Sequence, residues 1–147
     1  MSDDPLSIRT LQPGDVPVCA RIFCRAYEAL GAAPLWDEAT AARIIAEVQR
    51  HFPDECFVAE RGRTVQGFIL CRSLAGLRAT VEELAVAPEC QQQGVGGELM
   101  DHVLDGYRRR GLTAVELVAH RRSPAWGFYR RRGFRESRDY RLMRLEF

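Results

Sequence analysis

The stretch PECQQQGVGGELM, Pro88 to Met100, decides how this chain is read. Gln91, Gln92 and Gln93 run into Gly94-Val95-Gly96-Gly97, and an apolar repeat begins directly afterwards. Upstream, Ala79 to Ala87 reads as a strand closed by Pro88. Downstream, Gly94 to Arg110 reads as a helix burying Val95, Leu99, Val103, Leu104 and Tyr107, stopped by Gly111. A strand, a bare loop and a helix start in that order leave backbone N–H groups free at the helix N-terminus, with no side chains to hold an anion away. Such a turn suits a phosphate group. The dinucleotide fingerprint Gly-x-Gly-x-x-Gly fails, because counting from Gly94 its last position falls on Leu99 and the loop after the strand is long.

On the N-terminal side, Leu6 to Thr10 reads as a strand. Pro13-Gly14-Asp15 turns the chain into a helix whose apolar face is Val16, Cys19, Ile22, Phe23, Ala26 and Tyr27. A loop, Gly31 to Trp36, precedes a second helix that starts after Asp37, carries Ala41, Ile44, Ile45 and Val48 on one side, and ends before Pro53. Cys56 to Glu60 and Thr64 to Leu74 read as a hairpin around Arg61-Gly62-Arg63. On the C-terminal side, Thr113 to Ala119 is a strand reached by a helical crossover and therefore parallel to the preceding one. Pro124 to Arg132 is a short helix ended by Gly133, and Phe134 to Phe147 supplies two more strands around Arg138-Asp139. The expected class is α/β (α+β).

At 147 residues the chain suits one compact domain. No apolar run reaches the roughly 18 residues of a membrane span, and the acidic opening Met1-Ser2-Asp3-Asp4-Pro5 lacks the features of a secretory signal. A cytoplasmic location and no membrane partner are the expectation. The five cysteines contain no Cys-x-x-Cys pair, and three lie in apolar stretches, so neither a disulfide framework nor a metal site follows. Cys90, just before the helix start, lies where a thiolate can be stabilised, although an inert loop cysteine is the simpler reading.

Every basic side chain other than histidine is arginine. Without lysine, neither a Walker-type phosphate loop nor a Schiff-base nucleophile is available. From Arg78 onward 13 arginines face 10 acids, net +3, whereas residues 1–77 hold 8 against 10, net −2. This gradient favours an anionic ligand in the second half. The overall charge of +1 speaks against a nucleic-acid partner.

Gln91-Gln92-Gln93-Gly94-Val95-Gly96 resembles the Arg/Gln-x-x-Gly-x-Gly/Ala signature of the GNAT superfamily, the acetyl-CoA-dependent N-acetyltransferases. Glu82-Glu83-Leu84-Ala85-Val86-Ala87-Pro88 is similar to the strand entering that loop. Ala125-Trp126-Gly127-Phe128-Tyr129-Arg130-Arg131-Arg132-Gly133-Phe134 resembles the later Ala-x-x-Phe-Tyr-x-x-x-Gly-Phe motif. The resemblance covers essentially the whole chain. It implies a single-domain mixed sheet of about six to seven strands, with splayed parallel central strands and helices on both faces. It also implies acetyl-CoA as cosubstrate without a metal. The pyrophosphate would lie on Gln91, Gln92, Gln93, Gly94, Val95, Gly96 and Gly97, and pantetheine would lie along Leu84, Ala85 and Val86. The chain departs from the pattern at Gln92, where the family often has Gly, and at Arg122, where it often has Asn. The resemblance would let Arg122 or Arg131 reach a phosphate.

An amine with a pKa near 10.4 is almost wholly protonated at pH 7, so the reaction needs a base. Glu82 and Glu83 are the candidates, because carboxylates are costly in an apolar strand and strand neighbours face opposite ways. Ion pairing with arginines is their alternative role. His120 is a rival base, whereas His51 and His102 read as surface residues. The resemblance makes Tyr129 the acid that returns a proton to the departing thiolate, with packing beside Phe128 as the alternative. The acceptor pocket implied by the family would draw on Tyr27, Glu28, Trp36, Asp37 and Glu38, together with Glu82. Those acids and aromatics suit a small cationic amine of aminoglycoside or polyamine type. A peptide or protein amine remains open, as does a coenzyme-binding sensor without turnover. Exposed strands in the tail make a homodimer plausible.

Overall fold

A computed structural model describes residues 3–31 and 36–147. The chain divides into two units, one ending at Leu117 and one running from Val118 to Phe147, and each is described by itself. Of the loop expected at residues 31–36, positions 32–35 lie outside the described residues, as do Met1 and Ser2.

The first unit holds β1 (Leu6–Thr10), α1 (Val16–Ala29), α2 (Glu38–His51), β2 (Cys56–Arg61), β3 (Thr64–Leu74), β4 (Arg78–Val86), α3 (Val95–Arg109) and β5 (Ala114–Leu117). The strands lie in chain order, β1 to β4 antiparallel and β5 parallel to β4. The helix starts follow from local chemistry. Asp37 caps α2 by accepting from the Thr40 N–H at 2.7 Å, a contact worth about 1 kcal/mol. The Arg9 guanidinium clamps Asp15, at the entrance to α1, with bonds of 2.7 and 3.0 Å, and reaches Glu60 on β2 at 3.0 Å. This pairing holds the Asp15 carboxyl well below its usual range.

The sheet buries both faces differently. Cys56, Val58, Phe68, Leu70, Ala85 and Ala87 join Cys19, Ile22 and Phe23 of α1 and Ala41 and Ile45 of α2 in one core. Ile69, Cys71, Ala79 and Val81 are buried outside that cluster. The Cys71 thiol meets Tyr107 of α3, whose inner side is Val95, Leu99, Met100, Val103, Leu104 and Tyr107. Burying each large side chain stabilises the fold by about 1.5–3 kcal/mol. At the rim of the α3 layer, the Tyr107 hydroxyl donates to Glu55 at 2.5 Å, Ser73 donates to the same carboxylate at 2.8 Å, and Arg110 donates to Ser73 at 3.1 Å. On β3, Gly67 lies opposite Val86, where a Cβ would come within 2.9 Å of the Ala85 carbonyl and 3.2 Å of a Val95 methyl.

The second unit contains α4 (Ala125–Arg131) and a tail. The sheet has five strands, not six or seven, and none of the described residues after α4 forms one. Around Ser137, local bonds take the backbone groups a ladder would use. The Tyr140 N–H donates to the Ser137 hydroxyl at 3.0 Å, and Arg141 donates to the carbonyls of Ser137 and Tyr140, each at 2.9 Å. Arg141, Leu142 and Met143, expected within those tail strands, are all exposed.

Candidate active site

The two halves of β4 have different neighbours. β5 pairs only with Arg78 to Val81, its last partner being Leu117 opposite Val81. From Glu82 to Val86 the strand keeps β3 on one side and has no ladder partner on the other among the described residues. The Ala87 N–H donates to the Gln66 carbonyl of β3 at 2.8 Å, so the backbone groups of Val86 and Leu84 face away from β3, toward the open edge. Gln91 donates its side-chain amide to the Val86 carbonyl at 3.1 Å. The edge therefore offers the Val86 N–H and both backbone groups of Leu84, while Ala85 turns its own toward β3.

Glu82 interrupts the pairing. Leu70 faces Glu83 and the next residue, Cys71, faces Val81, which makes Glu82 an extra residue on β4. The insertion shifts the alternation, and both carboxylates line one cavity. This corrects the expectation that neighbours in this strand face opposite ways. The cavity, about 60 Å³, lies between the sheet and the first two helices and is walled by Phe23, Trp36, Ala41, Ile44, Ile45, Val48 and Leu70.

The two carboxylates differ in environment. Glu82 accepts from the Arg72 Nε–H, an ion pair on the same face of the sheet. Glu83 makes no ion pair among the described residues, and burial pushes its carboxyl up to about 7, opposed by a Leu84 backbone bond and helped by the Glu82 charge. Tyr27 on α1 carries a phenol raised by burial and, secondarily, by Glu83. Trp36 stacks on Phe23 with ring centroids 5.0 Å apart, and Tyr27 lies 4.7 Å from the same ring. Glu28 is exposed, Asp37 is spent on its helix cap and Glu38 faces Arg21 at 3.9 Å. None of these three lines the cavity. Of the acceptor residues expected from sequence, Trp36 and Glu82 line the cavity. Sequence reasoning singled out neither Arg72, the partner of Glu82, nor the aliphatic wall of α2. The wall was visible as the apolar stripe of α2, but nothing in the sequence ties Arg72 to Glu82.

The glycine turn has the geometry its composition suggests. Gly94 adopts φ of +85°, and the space where its Cβ would lie is open. No side chain caps α3, so the first-turn N–H groups of Val95, Gly96 and Gly97 lack a side-chain acceptor, as a bound anion would require. Gln91 and Gln93 are exposed but bond to nearby backbone, the latter donating to the Glu89 carbonyl at 3.0 Å. Arg25 of α1 grips the Glu89 carboxylate at 2.7 and 3.2 Å. Gln92 has φ of +61°, a left-handed backbone that disfavours any side chain. This supplies a physical reason for the family's frequent Gly there. Burial raises the Cys90 thiol pKa, in keeping with an inert loop cysteine and not with a stabilised thiolate.

His120, Arg122, Tyr129 and Arg131 belong to the second unit. The ring nitrogen of the exposed His120 accepts from the Arg122 N–H at 3.1 Å, an arrangement that closes a turn. Tyr129 is partly buried between Phe128 and Phe134, with centroids at 5.3 and 5.9 Å, both edge-on. Arg131 folds back over α4, where a Cβ on Gly127 would come within 3.2 Å of its Nη1. His51 and His102 are exposed, as expected.

A model of the acetyltransferase (GNAT) family matches residues 18–134. The chain is 29% identical over 132 residues to the [ribosomal protein bS18]-alanine N-acetyltransferase of Escherichia coli strain K12, covering 89% of this chain and 82% of the relative. Among solved structures it resembles Ard1 of Thermoplasma volcanium, with a TM-score of 0.75, 27% identity and coverage of 90% and 84% of the two chains. It also resembles the ribosomal-protein-S18-alanine N-acetyltransferase of Escherichia coli, with a TM-score of 0.74, 27% identity and coverage of 90% and 79%. An open strand edge, an uncapped glycine turn and a family match across four-fifths of the sequence converge on one conclusion: the chain belongs to the GNAT acetyltransferases and is an acyltransferase.

Proposed function

We propose that this enzyme moves the acetyl group of acetyl-CoA onto the α-amine of a peptide or protein, in place of the small cationic acceptor expected from sequence. The observation that carries the reading is Glu83, a desolvated carboxyl with a pKa near 7 at the edge of an apolar cavity. An α-amine has a pKa of about 8, roughly one unit above that carboxyl, whereas a side-chain amine at about 10.4 lies more than three units above it. Each unit adds about 1.4 kcal/mol to an uphill proton transfer. The burial that raises Glu83 brings it nearer to an N-terminal amine than to a lysine or polyamine. The apolar wall fits an uncharged group better than a polycation, and the Escherichia coli relative is named for an alanine of a ribosomal protein.

In this reading the N–H groups at the start of α3 and the Gly94 turn hold the diphosphate, with Gln91, Gln92 and Gln93 shaping the approach. The Val86 N–H and the Leu84 backbone face the open edge of β4, where one donor aimed at a developing oxyanion is worth about 3 kcal/mol. The bound coenzyme supplies an activated acyl group on sulfur. The Glu83 carboxylate takes the ammonium proton and passes it to solvent; the freed amine then forms the N–C bond as the C–S bond breaks, and its second proton returns to the same carboxylate. The Tyr129 hydroxyl gives one proton to the sulfur, so the charges balance. Arg122 and Arg131 are proposed phosphate contacts. His120, already engaged with its own turn, takes no part.

Turnover of N-terminal peptides with small apolar first residues, compared with polyamines, aminoglycosides and N-terminally blocked lysine peptides, tests the acceptor by thiol release. A preference of tenfold or more for the free α-amine peptides is expected. Faster turnover of the polyamines would return the acceptor to the cationic class, and binding without turnover of any amine would leave a sensor.

A further inference from the structure

The insertion at Glu82 creates a problem that the chain must solve. By bringing Glu82 round to the face of Glu83, it places two carboxylates side by side at one cavity, where mutual repulsion raises the proton affinity of whichever is more buried. The surroundings are otherwise uncharged. From α1 the only titratable group facing Glu83 among the described residues is the Tyr27 phenol. α2 presents Ala41, Ile44, Ile45 and Val48, and β3 presents Leu70 opposite it. A cation on this face is Arg72 of β3, one position past Cys71 and opposite Thr80, and it bonds to Glu82.

We propose that Arg72 is a positioning residue for the reaction: by holding the Glu82 carboxylate against β3 and offsetting part of its charge, it leaves Glu83 as the carboxylate that faces the acceptor and takes its proton. The inference rests on the reading of Glu83 as the base. It explains why a partly exposed ion pair, ordinarily worth little to stability, lies one residue from the working carboxylate. Without Arg72, Glu82 is released to turn toward its neighbour, and Glu83 then holds its proton to a higher pH and is less often the free base.

The test uses the full chain with 13C-labelled glutamate carboxyls, followed by NMR titration, with the Glu83 signal assigned by its loss in Glu83→Gln. The pH profile of kcat/KM on an N-terminal peptide is recorded in parallel. In Arg72→Gln, both the Glu83 midpoint and the acid limb should move up by about half to one pH unit, the effect of a like charge newly unmasked at a partly solvated site. Arg72→Lys keeps the charge and should hold both near their original positions. The double variant Arg72→Gln/Glu82→Gln, which removes the repelling partner as well, should return both to the original value or below. An unmoved midpoint in Arg72→Gln, or a double variant that remains shifted, overturns the role of Arg72 and leaves Glu83 as base untouched. A midpoint that moves while the acid limb stays fixed overturns the base reading of Glu83, and the role of Arg72 with it. The NMR readout needs no turnover, so an inactive but folded variant still decides the question.

Discussion

Within nine residues, β4 is two different strands. Arg78 to Val81 is paired on both sides and sends Ala79 and Val81 into the α3 layer. Glu82 to Val86 is paired on one side, begins with an insertion, and carries two acids and an open edge. The first half satisfies its backbone and buries methyl groups; the second leaves backbone groups exposed and holds a carboxyl out of water. Both departures cost stability, and both fall where the chemistry is proposed, as expected when strain and desolvation are retained for function.

The largest effect should come from removing the acid in the second half. Glu83→Gln is expected to lower kcat/KM at pH 7 by about 10²–10⁴ and to abolish the acid limb near pH 7, while coenzyme affinity measured by calorimetry stays unchanged. The same substitution should stabilise the fold. Because the folded-state pKa of Glu83 lies above its ordinary 4.5, the folded chain binds the extra proton, and the associated stability is present below pH 4.5 and lost as pH rises through about 7. Thermal melts at pH 8 should therefore favour Gln, by about 1–2 kcal/mol. A less stable Gln variant would show that the desolvation is not a cost. Gly94→Val comes next: a β-branched residue at φ of +85° is strained and intrudes on the open side of the turn, so coenzyme affinity should fall at least tenfold.

In the α3 layer the expected effect is structural alone. Tyr107→Phe strips Glu55 of a 2.5 Å donor and should cost about 1–3 kcal/mol in denaturant unfolding, with kcat/KM per folded molecule unaltered. Changed turnover would mean that the two regions are coupled. The smallest change is Gln92→Gly, which relaxes a left-handed backbone and should alter stability by less than about 1 kcal/mol, measurable only as a small shift in Tm.

The uneven legibility of the sequence follows the same division. Helix stripes, caps and the Gly94 turn are local, and α1, α2 and β3 lie within a residue of where the pattern puts them. The insertion at Glu82 is a property of how β4 meets β3, so no periodicity within β4 alone reveals it. Reading simple alternation there sent Glu82 and Glu83 to opposite faces. Pairing of these glutamates with an arginine was legible as their alternative role, and Glu82 fulfils it; which arginine, and the cavity that the α2 stripe helps to wall, depend on elements far apart in the chain. In the tail, two strands were expected around Arg138-Asp139, but the backbone around Ser137 is satisfied locally instead.

Gly67 shows how an atom that is missing can set a distance. A methyl at that position on β3 would collide with a carbonyl of β4 and a methyl of Val95, the first residue of α3. The helix mouth can therefore settle low over the strand only because that hydrogen is all Gly67 presents. The spacing between the Gly94 turn and the Val86 N–H is thus gauged by a residue outside both, and alanine there would force β4 and the start of α3 to shift apart.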